Sequence, residues 1–157
     1  GLGDVYKRQK MYQSDYKMIT LKENTITVAE YLNIRAQVGW KKLKKEQAVR
    51  ALENSMHIVG AYDDGRLVGM GRIVGDGAVI CYVQDLIVVP DGQHKGIGSM
   101  ILNALVRYVE SLRIEESQMM LCLMCAKGRE AFYEKHGFIA RPTPDLGPGM
   151  IQYLQDC

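Results

Sequence analysis

Residues 83–99, VQDLIVVPDGQHKGIGS, restrict the fold more than any other stretch of the chain. An apolar run holding one carboxylate, Asp85, ends at Pro90, and a short polar loop then brings Gly96 and Gly98 to the start of a helical pattern. Within that pattern Ile101, Leu102, Leu105, Val106, Val109 and Leu112 recur on one face, the amphipathic period of a helix over residues 99–113. A strand that passes through glycines into a helix builds an anion site. The first N–H groups of a helix have no internal acceptor and carry the positive end of its dipole. Glycine lets a phosphate approach those groups without a Cβ in the way. The spacing has no Gly-Lys-Ser/Thr of a triphosphate loop. It also lacks the third glycine and the later acidic residue of a dinucleotide fingerprint.

Around this segment the chain reads as strands and helices in alternation. Strands are expected at residues 16–21, 57–62, 66–74, 78–89, 119–125, 138–140 and 150–154, and helices at 27–38, 44–54, 99–113 and 127–136. Thr27 and Glu30 have the spacing of a capping box, and Gly39 is a stop. Asp63-Asp64-Gly65 signals a hairpin, and Gly137 stands where a left-handed C-cap belongs. The order β-α-α-β-β-β-α-β-α-β-β makes an α/β chain with a mixed sheet, because the helix at 99–113 joins two strands by a right-handed parallel crossover. The continuous apolar run at 119–125 suits a strand covered on both faces. Residues 1–10, GLGDVYKRQK, show no period and precede Met11; they read as a leader, which leaves residues 11–157 as a single domain.

A chain of 157 residues suits one such domain. The net charge of +2, from 20 Lys+Arg against 18 Asp+Glu, carries no basic stripe and argues against a nucleic-acid partner. No stretch approaches the roughly 18 consecutive apolar residues of a membrane span. Four cysteines without a signal peptide point to free thiols and a cytoplasmic location. Cys122-x-x-Cys125 has no second ligand pair, and the three histidines stand at unrelated spacings, so no metal is expected.

Gln93-His94-Lys95-Gly96-Ile97-Gly98 resembles the acyl-CoA pyrophosphate loop of the GNAT superfamily of N-acetyltransferases, Gln/Arg-x-x-Gly-x-Gly/Ala, and like that loop it follows an apolar strand ending in Val-Pro. Downstream, AFYEKHGF at residues 131–138 is similar to the family's Phe-Tyr-Glu-Lys-x-Gly-Phe helix end. The element order is also the family's, and the resemblance runs from residue 16 to the C-terminus. It implies parallel central strands that splay apart, with acetyl-CoA as co-substrate. Backbone groups of Ile87, Val88 and Val89 would run beside the pantetheine arm. The loop amides of Gln93, His94, Lys95, Gly96, Ile97, Gly98 and Ser99 would hold the pyrophosphate. A bulge near Val88 would supply an N–H to polarise the acyl carbonyl, and Tyr133 would aim its hydroxyl at the sulfur of CoA.

The general base is less defined. Strand alternation puts Tyr82 and Gln84 on one face and Asp85 on the other. Tyr82 and Gln84 occupy positions where some family members carry acid–base groups, yet neither is a good base near neutral pH. Asp85 is either that base or a buried structural acceptor. His57 heads a strand and reads as structural. Cys122 and Cys125 lie in or beside an apolar run, where a thiol behaves as a small inert hydrophobe. Direct transfer in a ternary complex is therefore simpler than an acyl-cysteine route.

Acceptor pockets in the family use the first helices, their connection and the last loop. Here those supply Tyr31, Arg35, Val38, Trp40 and residues 147–150. Trp40 is either a pocket wall or a plug between the helices. Lys41, Lys42, Lys44 and Lys45 would repel a polycation, and no acidic cluster awaits one. A small primary amine, aromatic ones included, is the favoured acceptor. A protein or peptide acetyltransferase with an open groove and a non-catalytic acyl-CoA sensor are the alternatives. No nucleic-acid or membrane partner is expected, and pairing as a homodimer would match the family's habit.

Overall fold

The computed structural model describes residues 18–156, so the expected leader and Tyr16 lie outside the described residues. The described chain divides into two compact units between Leu121 and Cys122. The first holds β1 (Ile19–Glu23), α1 (Val28–Gln37), α2 (Lys45–Glu53), β2 (His57–Asp63), β3 (Arg66–Gly75), β4 (Ile80–Val88), a 3-10 turn at Pro90–Gly92 and α3 (Ile97–Leu112). The division falls within β5 (Met120–Leu123), and α4 (Glu130–Lys135) belongs to the second unit. The sheet runs in the order β1-β2-β3-β4-β5, and its first three pairings are antiparallel.

Local chemistry accounts for most of these boundaries. Thr27 Oγ1 accepts from the Glu30 N–H at 3.1 Å, and the Thr27 N–H donates to Glu30 Oε1 at 2.9 Å, so the capping box closes at the start of α1. Gly39 at φ +71 turns the chain out of that helix. Asp64 and Gly65, at φ +49 and +81, form the two-residue turn that matches strand twist between β2 and β3. Asp76 shapes the next turn, accepting from the N–H groups of Ala78, Val79 and Ile80 at 2.8, 2.8 and 3.0 Å. Helix α3 buries Ile97, Ile101, Leu102, Leu105 and Val109 against the sheet. Each fully buried aliphatic side chain contributes about 1.5–3 kcal/mol. The close approach depends on β3: a Cβ on Gly69 or Gly71 would stand 2.7 Å from the Ile101 or Leu105 side chain.

The α/β class and the order of the first nine elements are as expected, but the two terminal strands do not form among the described residues. Residues 138–140 and 150–154 belong to no ladder, and Ile139, Met150, Ile151 and Leu154 remain exposed. An apolar run describes a candidate strand; only a hydrogen-bonding neighbour makes it one. The apolar run at 119–125 also differs from expectation. Only Met120–Leu123 is strand, no residue of it is fully buried, and it lies at the edge of the sheet. The helix expected at 127–136 is confined to Glu130–Lys135, because a turn closed by the Arg129 N–H on the Ala126 carbonyl precedes it. Gly137 follows at φ +91, the expected left-handed stop.

Candidate active site

The site begins with the register of β4. Met70 pairs with Ile87 and Arg72 with Gln84, so Gly71 alone stands opposite two residues, Asp85 and Leu86. This is a one-residue bulge, and Asp85 sits in it at φ +56. Two hydrogen bonds fix the ladder on either side. Asp76 N–H donates to the Ile80 carbonyl at 3.0 Å, and Val89 N–H donates to the Val68 carbonyl at 2.9 Å. The first makes Cys81–Gly75 a non-hydrogen-bonded pair, and the second does the same for Val88–Gly69. Without the extra residue, strict alternation from Cys81 would direct the Val88 N–H onto β3. The bulge inverts that parity and turns the Val88 N–H away from β3. The bulge expected near Val88 thus lies at Asp85 and Leu86, and its effect reaches Val88.

The bulge also corrects the expected faces. A regular strand would set Gln84 and Asp85 on opposite sides, yet Gln84 Nε2 donates to Asp85 Oδ1 at 3.3 Å. Asp85 is 4 % exposed. Arg35 Nη1 donates to its Oδ1 at 3.0 Å, Arg72 Nε donates to its Oδ2 at 2.8 Å, and the Tyr31 hydroxyl donates to Oδ2 as well. Arg72 continues to Ser55 Oγ at 3.2 Å, and Arg35 Nη2 donates to the Lys41 carbonyl at 3.1 Å. Among the described residues, Arg35 Nε is buried with no partner. Of the two alternatives for Asp85, the geometry is that of the structural acceptor. Tyr31 is corrected with it: burial, then its bond to Asp85, pushes the phenol above its ordinary range, and a ring 1 % exposed offers no wall to an acceptor. Sequence alone missed Arg72 and Ser55. The available signal was the carboxylate itself, since a charge in an apolar strand requires a partner.

Past Val88 the chain enters the glycine loop. Val89 is buried, and Gln93 Nε2 donates to the Val88 carbonyl at 3.1 Å, which braces the strand end against the loop. His94 is exposed at φ +63. Lys95 Nζ donates to the Asp91 carbonyl at 2.8 Å, while the Asp91 carboxylate pairs with Arg66 at 2.9 Å. Gly96 is the N-cap of α3 at φ +80, with no side-chain cap bond. Among the described residues, a Cβ built at Gly96 meets nothing within 4 Å. The N–H groups of Ile97, Gly98 and Ser99 have no acceptor within the helix. The loop therefore fits the diphosphate of a CoA thioester through main-chain donors and the helix dipole.

Trp40 is 40 % exposed, which rules out the core plug, and the Arg35 guanidinium lies 5.3 Å from its ring. Tyr82 is half-buried. His57 is buried and stacked on Tyr108 with ring centroids 3.9 Å apart, in keeping with a structural role. A hollow of about 380 Å³ lies against Thr20, Lys22, Tyr62 and Asp63, away from all of these residues.

In the second unit Tyr133 is half-buried on α4, edge-on to Phe132 at 5.1 Å and to Phe138 at 5.9 Å. Burial, with the nearby Cys125, raises its phenol above the ordinary range. Tyr133 is therefore neutral at pH 7 and a hydrogen-bond donor. Cys125 is exposed, a correction to the buried thiol expected from the apolar run. Partial desolvation and the Glu130 carboxylate hold that thiol above its usual range, which keeps it a poor nucleophile.

Comparisons with known proteins point to one family. The family model for the acetyltransferase (GNAT) domain matches residues 54–140. The uncharacterized N-acetyltransferase ycf52 of Pyropia yezoensis is 28 % identical over 144 residues, covering 88 % of this chain and 79 % of that protein. Serotonin N-acetyltransferase 2, chloroplastic, of Oryza sativa subsp. japonica is 30 % identical over 123 residues, covering 75 % and 58 %. Among solved structures, a GNAT family acetyltransferase from Streptococcus pneumoniae TIGR4 is 31 % identical, covers 88 % of this chain and all of its own, and superposes with a TM-score of 0.75. No helix among the described residues is long and apolar enough to cross a membrane. With more than half its length inside the family model, the chain belongs to the GNAT acetyltransferases.

Proposed function

We propose that this chain transfers the acetyl group of acetyl-CoA to the primary amine of a small molecule, by direct attack in a ternary complex. The observation that carries the proposal is the pairing of two main-chain features on one strand–loop–helix unit. The bulge turns the Val88 N–H away from β3, and the uncapped start of α3 presents three further donors. The first suits a carbonyl that becomes an oxyanion, and donors placed for that charge lower the barrier by several kcal/mol. The second suits the diphosphate.

An alkylamine with a pKa near 10 must lose a proton before attack, at a cost of about 4 kcal/mol at pH 7. Asp85 has its lone pairs engaged, so desolvation of the amine, or a water relay, is the proposed route. Tyr133 is assigned to the departing sulfur as a hydrogen-bond donor. Its raised pKa makes full proton transfer to a thiolate of pKa about 8.5 uphill, so the bond and not the proton is its contribution. Exposed Trp40 and the likeness to a rice protein named for serotonin favour an aromatic amine as acceptor.

The test is thiol release from acetyl-CoA with the purified full chain, across arylalkylamines, polyamines and amine-terminated peptides, beside calorimetry of acetyl-CoA. Turnover with arylalkylamines is expected. Preference for the peptides would establish the protein-directed alternative, and binding without any turnover would establish the sensor. Absence of binding at millimolar acetyl-CoA would overturn all three.

A further inference from the structure

We infer that Asp85 is a positioning residue: its carboxylate, clamped by Tyr31, Arg35 and Arg72, selects the bulged register of β4 and thereby the direction of the Val88 N–H. Its kinetic consequence, though not its structural one, rests on the acetyltransferase reading. Asp85 holds φ +56, a conformation that side-chain-bearing residues seldom adopt, although Asp tolerates it better than most. Such a backbone persists where its surroundings over-determine it. Here α1 supplies Tyr31 and Arg35, β3 supplies Arg72, and the neighbouring Gln84 supplies an amide. Each carboxylate oxygen already accepts two donors, so none is left for a substrate proton.

The clamp discriminates between two registers. In the bulged register Asp85 lies with Gln84 and Arg72 on the α1 face. In the regular register, alternation from Gln84 would carry Asp85 to the face of Gly71, where Leu105 and Ile101 of α3 pack. A carboxylate there would be buried among aliphatic groups without a partner. One charged residue thus stabilises the register that frees the Val88 N–H and opposes the register that would spend it on β3.

Nuclear magnetic resonance of the isotope-labelled full chain tests this directly. A non-hydrogen-bonded pair brings its two Hα protons together. The wild type should show an Hα–Hα cross-peak between Gly69 and Val88. Asp85→Leu, whose side chain suits the α3 face, should lose it and show a Gly69–Ile87 cross-peak instead. Asp85→Asn and Tyr31→Phe, which leave the fold less disturbed, should weaken the Gly69–Val88 cross-peak. Retention of that cross-peak at full intensity in Asp85→Asn and Tyr31→Phe overturns the inference, and these two decide it if Asp85→Leu fails to fold. In turnover, Asp85→Asn should lose about 10- to 100-fold in kcat, as expected of misaimed groups, with KM for acetyl-CoA within about twofold. Its pH profile should keep the wild-type shape; loss of the acid limb would make Asp85 the base and overturn the assignment. If the wild type binds acetyl-CoA but acetylates no amine, the acetyltransferase reading fails while the cross-peaks still decide the clamp.

Discussion

Two runs of three successive backbone donors sit at opposite ends of β4. At its start, the N–H groups of Ala78, Val79 and Ile80 all donate to the carboxylate of Asp76. Beyond its end, the N–H groups of Ile97, Gly98 and Ser99 open α3 under an N-cap with no side-chain acceptor. The first run is closed from within by a residue two positions upstream. The second has glycine at its cap, where among the described residues a Cβ would meet nothing within 4 Å. The filled run shows what such donors do to an anion: the bonds from Ile80, Ala78 and Val79 hold the Asp76 carboxyl below the usual range. A diphosphate brings more charge to the other run, where the helix dipole adds to the attraction. The contrast teaches that a backbone anion site arises where the chain withholds its own acceptor.

The largest expected effect comes from giving the open run an internal anion. Gly96→Asp places a carboxylate where the diphosphate belongs and demands φ +80 of a side-chain-bearing residue. Acetyl-CoA affinity should fall by about 100-fold, since like charges in contact cost several kcal/mol and each 1.4 kcal/mol is tenfold. The backbone strain should cost about 1–2 kcal/mol of stability. Calorimetry against the wild type gives the affinity, and an unchanged Kd would mean that α3 does not receive the ligand.

Tyr133→Phe comes next. A hydrogen bond to a charged acceptor contributes about 1.5–3 kcal/mol, so kcat should fall about 10- to 100-fold while acetyl-CoA binds as before. Because the phenol is raised by burial and by Cys125, Tyr133 should add no alkaline limb to the rate profile below about pH 10. Unchanged turnover would remove Tyr133 from the reaction and leave the backbone donors to act alone.

Thr27→Ala sharpens the comparison from the closed side. The start of α1 resembles the Asp76 turn in satisfying its own donors, through the Thr27–Glu30 box. Removing that cap should cost about 1 kcal/mol in chemical denaturation and leave acetyl-CoA affinity unchanged. A loss of affinity here would mean that helix ends in this molecule are not energetically separable.

The legible and the hidden parts of the molecule divide along the same physical line. Features set by neighbours in sequence were readable: the Thr27 box, the Asp64–Gly65 turn and the Gly137 stop form as expected, and the glycines do lead into α3, although it begins at Ile97 and takes Gly98 into its first turn. Features set by pairing across the chain were not. No local pattern shows that Gly71 will face two residues, because a bulge is a property of two strands. The faces of Gln84 and Asp85 were misassigned for that reason, and Tyr31 was placed toward an acceptor when its hydroxyl belongs to Asp85. Residues 138–140 and 150–154 have strand character in sequence, yet strand formation required a neighbour that they do not have among the described residues. The arginines at 35 and 72 lie far apart in sequence and meet at the Asp85 carboxylate and over the Tyr31 ring.

The smallest effect concerns the filled run itself, and it checks the premise of the comparison. Asp76 has a folded pKa below its unfolded value because three N–H groups favour its charged form. A depressed carboxylate contributes stability that is complete above the unfolded pKa, near 4, and is lost as pH falls through the folded pKa. Asp76→Asn keeps an oxygen in place to accept the same N–H groups but removes the charge. The wild type should therefore exceed the variant slightly in stability at pH 7, and the gap should close as the pH falls below about 4. The side chain is exposed, so salt should narrow the gap as well. Paired denaturant titrations at descending pH measure it. A gap that stays constant down to pH 2 would mean that these donors recognise the shape of an oxygen and not its charge, and the filled turn would then cease to be a guide to the empty one at α3.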